Sequence, residues 1–267
     1  MPIQYGVDKN YWNRRTNMMY YKYVNLFVKA FAYSAKSVLD VGSANTQYIE
    51  DFFWIPNKYT LDIKRPYSSP NVTSYEIDFL EFNPSNKFDF VTCLQVLEHI
   101  PNAKEFARKL LSITDHLLVT VPYKWPSDVE EEHIHDPVEE NLLYKWFERE
   151  PTYSIVIEEP LRKPDKKINK RLLCYYGPVE KEINYRTVWN NINSLNEQEE
   201  EIQMQEIINQ SDKSEALLDN LKEIQKKQEE YYKLIKYEIE NQSLEKEYND
   251  ILNKNDAVRQ RISVLER

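Results

Sequence analysis

The chain has 267 residues and a formal net charge of −9, with 44 acidic against 35 basic residues. This acidic balance argues against binding to a nucleic-acid backbone, which normally requires a basic excess on the protein. No signal peptide is recognisable, and no apolar run approaches the roughly 20 residues that a membrane span requires. The composition therefore predicts a cytoplasmic protein without a transmembrane segment.

The distribution of glycine and proline divides the chain near residue 178. Three glycines and thirteen prolines occur, and none of them lies beyond Pro178. Residues 179–267 carry 20 acidic and 13 basic residues, so most of the net negative charge lies there. We predict three parts, which are an N-terminal helical lid at residues 1–33, a globular domain at 34–178 and a helical tail at 179–267.

The N-terminal segment has a helical pattern with an aromatic stripe. Tyr20, Val24 and Phe27 recur at intervals of three and four residues, which places them on one helix face. Such a stripe usually packs against a core. An aromatic and basic cluster at residues 11–15 supports the other interpretation, in which the segment covers a ligand as a lid.

Two acidic residues at the ends of the first two predicted strands indicate a nucleotide-sized ligand. Residues 37–46, SVLDVGSANT, have the pattern of a strand, a tight turn and the start of a helix. Gly42 lets the backbone approach a ligand closely, and Asp40 leaves a carboxylate near the carboxyl end of the strand. Asp62 ends the second strand 22 residues later, close to the spacing at which an acidic residue binds ribose hydroxyls in βαβ units.

Strands and helices then alternate along the rest of the domain. Five further strands are predicted, at residues 72–80, 87–100, 116–121, 153–157 and 171–176. Helices at about 46–54, 101–112 and 138–148 separate several of them. Alternation at these lengths predicts a parallel, doubly wound α/β sheet. A short polar connection between the last two strands predicts that this seven-stranded sheet ends in an antiparallel hairpin.

The order of these motifs resembles the class I S-adenosylmethionine-dependent methyltransferases. Four elements carry the resemblance: LDVGSA at residues 39–44, LDI at 61–63, the acid Asp78, and FDFVTCLQVLEHI at 88–100. The resemblance covers about residues 34–176. It implies a Rossmann-like fold, methyltransferase activity and S-adenosylmethionine as the cofactor.

The resemblance also implies a set of cofactor-binding residues: Asp40, Gly42, Ala44, Asp62, Ile63, Asp78, Phe79, Gln95 and Val96. The first three would line the methionine part of the cofactor, and Asp62 would hold the ribose. Asp78 and Phe79 would flank adenine, with Gln95 and Val96 closing over the sulfonium region. Ala44 stands where the family has its second loop glycine, and this added side chain reduces how closely the backbone can approach the cofactor.

A histidine-rich loop supplies the candidate catalytic residues. Methyl transfer to an alcohol requires removal of a proton, and histidine is the natural base near neutral pH. His133, His135 and Asp136 follow the fifth strand, where acceptor pockets form. We predict His135 as the base because Asp136 follows it directly. Two alternatives are a divalent metal bound by the two histidines with carboxylates, which we do not expect, and loop histidines with a structural role alone.

The tail has the apolar periodicity of a coiled coil. Apolar residues recur at alternating intervals of three and four, in a first series at Leu217, Leu221, Ile224, Tyr231 and Ile235 and a second at Leu244, Tyr248, Ile251, Val258, Ile262 and Leu265. They form the seam of a long α-helical coiled coil, and a phase change at residues 238–244 predicts an irregularity there. We predict self-association as a dimer or trimer, and the open helical end fits a tail that continues in a longer native chain.

A methyltransferase domain with such a tail resembles the enzymes of bacterial surface-polysaccharide assembly, including those of O-antigen and S-layer glycans. This resemblance implies O-methylation of a sugar hydroxyl on a glycan, at the inner face of the membrane and with glycosyltransferases as partners. The alternatives are a small-metabolite or protein acceptor, or a catalytically degenerate scaffold that acts through its coiled coil.

Overall fold

The computed structural model describes Trp12 and residues 15–127, 129–159, 168–178, 183–239 and 245–266. The chain forms two compact units, Met1–Asn196 and Glu197–Arg267. The boundaries predicted from composition, at residues 33 and 178, remain predictions.

The first unit is built on a seven-stranded mixed sheet. Its strands are β1 (Ser37–Val41), β2 (Asn57–Asp62), β3 (Val72–Glu76), β4 (Phe90–Leu94), β5 (Leu117–Pro122), β6 (Tyr153–Glu158) and β7 (Lys170–Tyr176). Their order is β3-β2-β1-β4-β5-β7-β6, with β1 to β5 parallel and β7 antiparallel to both of its neighbours. The predicted sheet, with five parallel strands and a terminal hairpin, is confirmed.

Five α-helices accompany the strands in the described residues. They are α1 (Met19–Phe31), α2 (Ala103–Ser112), α3 (Glu140–Phe147), α4 (Tyr185–Ile239) and α5 (Glu245–Leu265). The helix predicted directly after β1 is instead a short 3-10 turn, Tyr48–Asp51. Ala44 and Asn45 have φ angles of 44° and 59°, so the chain stays in a turn where the helix would have begun.

Residues of each strand alternate between two hydrophobic cores, one on each face of the sheet. On β1, Leu39 and Val41 pack into the core that contains α2 and α3, whereas Val38 packs into the core that contains α1. Val24 and Val28 of α1 are buried in this second core. Helix α1 is therefore part of the core. Residues 1–11, 13 and 14 of the predicted lid lie outside the described residues.

A buried acidic residue fixes the start of α1. Glu159 follows β6 and accepts hydrogen bonds from the backbone N–H groups of Met19 and Tyr20, at 2.8 and 3.0 Å. A carboxylate at a helix N-terminus satisfies free N–H groups and interacts favourably with the helix dipole. Arg171 of β7 lies 3.9 Å from the same carboxylate, so α1 is tied to the antiparallel end of the sheet.

In the second unit, α5 and the part of α4 that follows Asn196 run antiparallel. Ion pairs join Lys222 to Glu266 and Glu229 to Arg259, at 3.6 and 3.0 Å, so the chain direction is opposite in the two helices. The first apolar series of the predicted seam lies in α4, and the second lies mainly in α5. The predicted phase change therefore falls where one helix ends and the next begins. A coiled coil between chains remains a prediction.

Among the described residues, no helix combines the length and the apolar character needed to cross a membrane.

Substitution in α1 tests its place in the core. Val28→Ala should lower the free energy of unfolding by about 1–3 kcal/mol, because it leaves a cavity at a fully buried position. Leu26→Ala, two residues away and 39% exposed, should cost less than about 1 kcal/mol. Urea unfolding of both variants measures the difference; equal small losses would mean that α1 covers the sheet only loosely.

Candidate active site

A cavity of about 380 Å³ opens at the carboxyl ends of β1, β2 and β3. Its volume falls within the roughly 300–1,000 Å³ of small-molecule sites. Six of the nine predicted cofactor residues line it: Gly42, Asp62, Ile63, Asp78, Phe79 and Val96. Apolar side chains together with two carboxylates, those of Asp62 and Asp78, suit a nucleoside, which offers a flat base and a ribose diol. The residues present therefore fit S-adenosylmethionine.

Gly42 allows the loops after β1 and β4 to meet at this cavity. Its φ angle is 79°, in the left-handed region that favours glycine. A Cβ atom at this position would overlap the side chain of Val96. The missing side chain is thus a requirement for the close approach of two cavity-lining loops.

Asp62 joins the loops that follow β1 and β2. Its carboxylate accepts hydrogen bonds from the backbone N–H of Ala44 at 3.0 Å and from those of Lys64 and Arg65 at 2.9 Å. A carboxylate accepts about four hydrogen bonds, so about one position remains for a ligand. Asp62 both builds the rim of the cavity and can bind one ribose hydroxyl.

Asp78 both caps a turn and lines the cavity. One carboxylate oxygen accepts a hydrogen bond from the backbone N–H of Leu80 at 2.8 Å, which caps the turn after β3. The residue also lines the cavity. Its second oxygen can therefore accept a hydrogen bond from a ligand.

Three predicted cofactor residues do not line the cavity. Ala44 and Gln95 have φ angles of 44° and 57°, which turn both side chains away from the direction that an extended strand would give them. The Gln95 amide donates to the hydroxyl of Thr120 at 3.2 Å. Asp40 is buried, and its Oδ1 accepts hydrogen bonds from the hydroxyls of Tyr48 and Thr92.

Burial changes the acidity of Asp40. It raises the pKa of the carboxyl from its ordinary value of 3.8 to about 7, against the lowering effect of the two hydroxyl donors. Tyr48 is the partner that the sequence did not identify, because the segment was expected to be an ordinary helix. The ring centroids of Trp12 and Tyr21 lie 6.3 and 5.5 Å from the ring centroid of Tyr48, so aromatic side chains pack around this tyrosine.

The histidine loop after β5 folds back onto the segment after β4. The backbone N–H of Ile134 donates to the carbonyl of Glu98 at 3.0 Å. His135 donates from Nε2 to the carbonyl of Ile100 at 2.8 Å, and Ile100 lines the cavity. The loop therefore lies beside the cavity, on the side of β4 and β5.

Within this loop, Asp136 pairs with His133. Nδ1 of His133 lies 2.6 Å from Oδ2 of Asp136, and the two side chains are 8% and 0% exposed. The prediction of His135 as the base assumed that Asp136 would orient it. In the fold, however, the carboxylate of Asp136 contacts His133, three positions earlier, and Nε2 of His135 donates to the carbonyl of Ile100.

Glu98 is a buried acidic residue that the sequence showed only as part of a motif. It lies in a 3-10 turn, Leu97–His99, and neither carboxylate oxygen has a hydrogen-bond partner among the described residues. The pKa of this carboxyl is raised to about 8, mainly by burial and also by the nearby charge of Asp136, while the charge of Arg171 acts in the opposite direction. The sequence feature that could have identified Glu98 is the presence of an acidic residue within the apolar run VLEHI.

Glu98, His99 and His133 form a cluster next to the cavity. Each offers one oxygen or nitrogen atom, and these atoms lie within 4.8 Å of one another. The rings of His99 and His133 have centroids 4.7 Å apart. Burial lowers the pKa of His99, which favours its neutral form.

The model of a family described as a methyltransferase domain matches residues 12–154, more than half of the chain. The chain therefore belongs to this family. It is an S-adenosylmethionine-dependent methyltransferase.

Several solved structures of methyltransferases are similar to this chain. N-methyltransferase NodS from Bradyrhizobium japonicum WM9, in complex with S-adenosyl-l-homocysteine, is 12% identical with a TM-score of 0.49, over 65% of this chain and 94% of that one. The plantazolicin methyltransferase BpumL is 12% identical with a TM-score of 0.45, over 63% and 88%. No curated protein sequence matches the chain.

The acidity of Asp40 predicts a pH dependence of stability. In the unfolded chain the carboxyl ionises near pH 3.8, whereas burial delays ionisation in the fold to about pH 7. Its contribution to stability is therefore complete below about pH 4 and is lost as the pH rises through 7. Between about pH 4 and pH 7, the free energy of unfolding of the wild type should therefore fall by on the order of 2–4 kcal/mol relative to that of Asp40→Asn.

Urea unfolding of the two proteins at several pH values between 4 and 8 measures the difference. Other titrating groups are common to both proteins and cancel. Parallel stability curves for the two proteins would contradict the assigned acidity.

Proposed function

We propose that the chain transfers a methyl group from S-adenosylmethionine to a sugar hydroxyl of a bacterial surface glycan. The observation that carries the choice of a hydroxyl is the buried pair of His133 and Asp136 beside the cofactor cavity. An alcohol is a weak nucleophile until it loses its proton, so its methylation benefits from a positioned proton acceptor.

The cavity residues would hold the cofactor in a defined orientation. Asp62 accepts a hydrogen bond from the ribose, and Ile63 and Phe79 provide apolar contact for the base. The bound cofactor supplies a methyl group on a sulfonium, which a nucleophile displaces in line. Placing the reacting atoms a little over 3 Å apart contributes much of the rate enhancement in such a transfer.

His133 would act on the acceptor through Nε2, since Nδ1 is bound by Asp136. The carboxylate fixes the tautomer of the ring and stabilises the imidazolium form, as in other histidine–carboxylate pairs. We therefore assign to His133 the role that the sequence suggested for His135. Asp136 keeps its predicted place as the orienting residue.

The glycan acceptor is supported by architecture. The methyltransferase unit is followed by a second unit in which α4 exposes Ile202, Met204, Ile207 and Ile208. An exposed apolar row of this kind suits self-association. We propose that this unit joins two or three copies and spaces them at the inner face of the membrane, where glycosyltransferases supply the acceptor.

Paired histidine variants test the role of the loop. His133→Gln should lower kcat about 10²–10⁴-fold, because Gln cannot accept the hydroxyl proton. His135→Gln should lower kcat less than about 10-fold, since an amide can still donate to the carbonyl of Ile100. Transfer of a labelled methyl group to a panel of sugars and glycan fragments measures turnover, and calorimetry measures cofactor affinity.

Cofactor affinity should remain within about twofold of wild type in both variants, since neither ring lines the cofactor cavity. Retained turnover in His133→Gln would reject the assignment. Transfer only to amines or peptides would reject the hydroxyl acceptor. Normal cofactor binding with no transfer to any acceptor would favour the scaffold alternative.

A further inference from the structure

We infer that Glu98, His99 and His133 bind one divalent transition-metal cation at the acceptor end of the cofactor cavity. The binding itself follows from the arrangement of these side chains. The further step, that the cation acts on the acceptor hydroxyl, rests on the proposed function.

The three side chains come from two segments that the fold holds together. Glu98 and His99 belong to the turn after β4, and His133 belongs to the loop after β5. The hydrogen bond from Ile134 N–H to the Glu98 carbonyl joins the segments at 3.0 Å. The ligand atoms lie within 4.8 Å of one another, close to the roughly 4 Å between opposite atoms that share an ion at about 2 Å.

In both His99 and His133, one ring nitrogen already takes part in a hydrogen bond. Nδ1 of His99 lies 3.0 Å from the carbonyl oxygen of Glu132, and a carbonyl can only accept, so this nitrogen carries the proton. Nδ1 of His133 donates in the same way to Asp136 at 2.6 Å. In both rings the lone pair is therefore on Nε2. Metal-binding histidines are characteristically oriented by such a hydrogen bond from the other nitrogen.

Glu98 provides an independent sign of a missing ligand. Its side chain is fully buried, and neither carboxylate oxygen has a hydrogen-bond partner in the described part of the chain. A buried carboxylate without partners is costly, and such groups are normally paired or coordinate a metal. A cation beside Glu98 would supply the missing interaction.

The donor set indicates the class of cation. One carboxylate and two imidazoles suit Zn²⁺, Mn²⁺, Fe²⁺ or Co²⁺, whereas Mg²⁺ prefers oxygen ligands and water. Three protein ligands leave at least one coordination position open. The sequence alone favoured a metal-free site, because it did not show that Glu98 and His133 lie together.

An acceptor hydroxyl in the open position would become more acidic. Its O–H bond breaks and the proton passes to water. The oxygen then forms a bond to the methyl carbon, while the electron pair of the broken C–S bond stays on sulfur. In this arrangement Nε2 of His133 is a ligand of the cation, so the cation activates the hydroxyl in place of His133 acting as the base. Asp136 is then a positioning residue for the ligand.

Calorimetric titration of the chelator-treated full chain with Zn²⁺ and with Mn²⁺ tests the binding site. We expect one equivalent of cation to bind. Glu98→Gln and His99→Ala should each weaken this binding at least 100-fold. Asp136→Asn should weaken it about 10–100-fold, the usual effect of removing a group that orients a ligand. Circular dichroism and cofactor affinity show that each variant is folded.

His116→Gln is the matched control. This histidine lies next to β5, and its Nδ1 is 2.6 Å from the hydroxyl of Tyr175, outside the cluster. It should bind the cation like the wild type. No binding by the wild type, or unchanged affinity in both Glu98→Gln and His99→Ala, would overturn the site.

Failure of this inference is distinguishable from failure of the proposed function, because cation binding is measured without acceptor or cofactor. Methyl transfer should stop after chelation and return when the cation is restored. Full transfer in the presence of the chelator would overturn the role of the cation and leave His133 as the base. Cation binding without transfer to any hydroxyl would overturn the proposed function alone.

Discussion

The cavity at the carboxyl ends of β1, β2 and β3 depends on the hydrogen bonds that the Asp62 carboxylate accepts. This carboxylate binds backbone N–H groups from the loop after β1 and from the loop after β2, so one side chain holds two adjacent strand ends together. The first of these loops reaches Val96, after β4, only because Gly42 has no side chain. Three loops thereby meet at one edge of the sheet, where parallel strands of an α/β fold bind their ligands.

The sheet and most of the cavity could be predicted from the sequence. Strand spacing and apolar pattern determine which residues end each strand, and parallel strands bring those ends to one edge. Ala44 and Gln95 do not line the cavity, because their orientation depends on positive φ angles, which a motif does not report. Their contact with the cofactor remains a prediction. The same applies to Asp40, whose burial reflects packing by Tyr48 from the turn that follows β1.

The acceptor side of the site could not be predicted in the same way. The association of His133 with Glu98 depends on two loops separated by 35 positions, and no spacing pattern records it. The choice between His133 and His135 depends on the path of one turn. The seam periodicity of the tail is equally compatible with pairing between chains and with the antiparallel pairing of α4 and α5 that the ion pairs define.

We propose that Asp62 both builds and lines the S-adenosylmethionine site. Isothermal titration of the wild type and Asp62→Asn with S-adenosylmethionine tests this proposal most directly. Asp115→Asn is the control, because Asp115 is exposed and lies just before the amino end of β5. We expect about 10–100-fold weaker binding in Asp62→Asn, from the loss of charge-assisted hydrogen bonds, and unchanged binding in the control. Equal affinity in all three proteins would contradict the account.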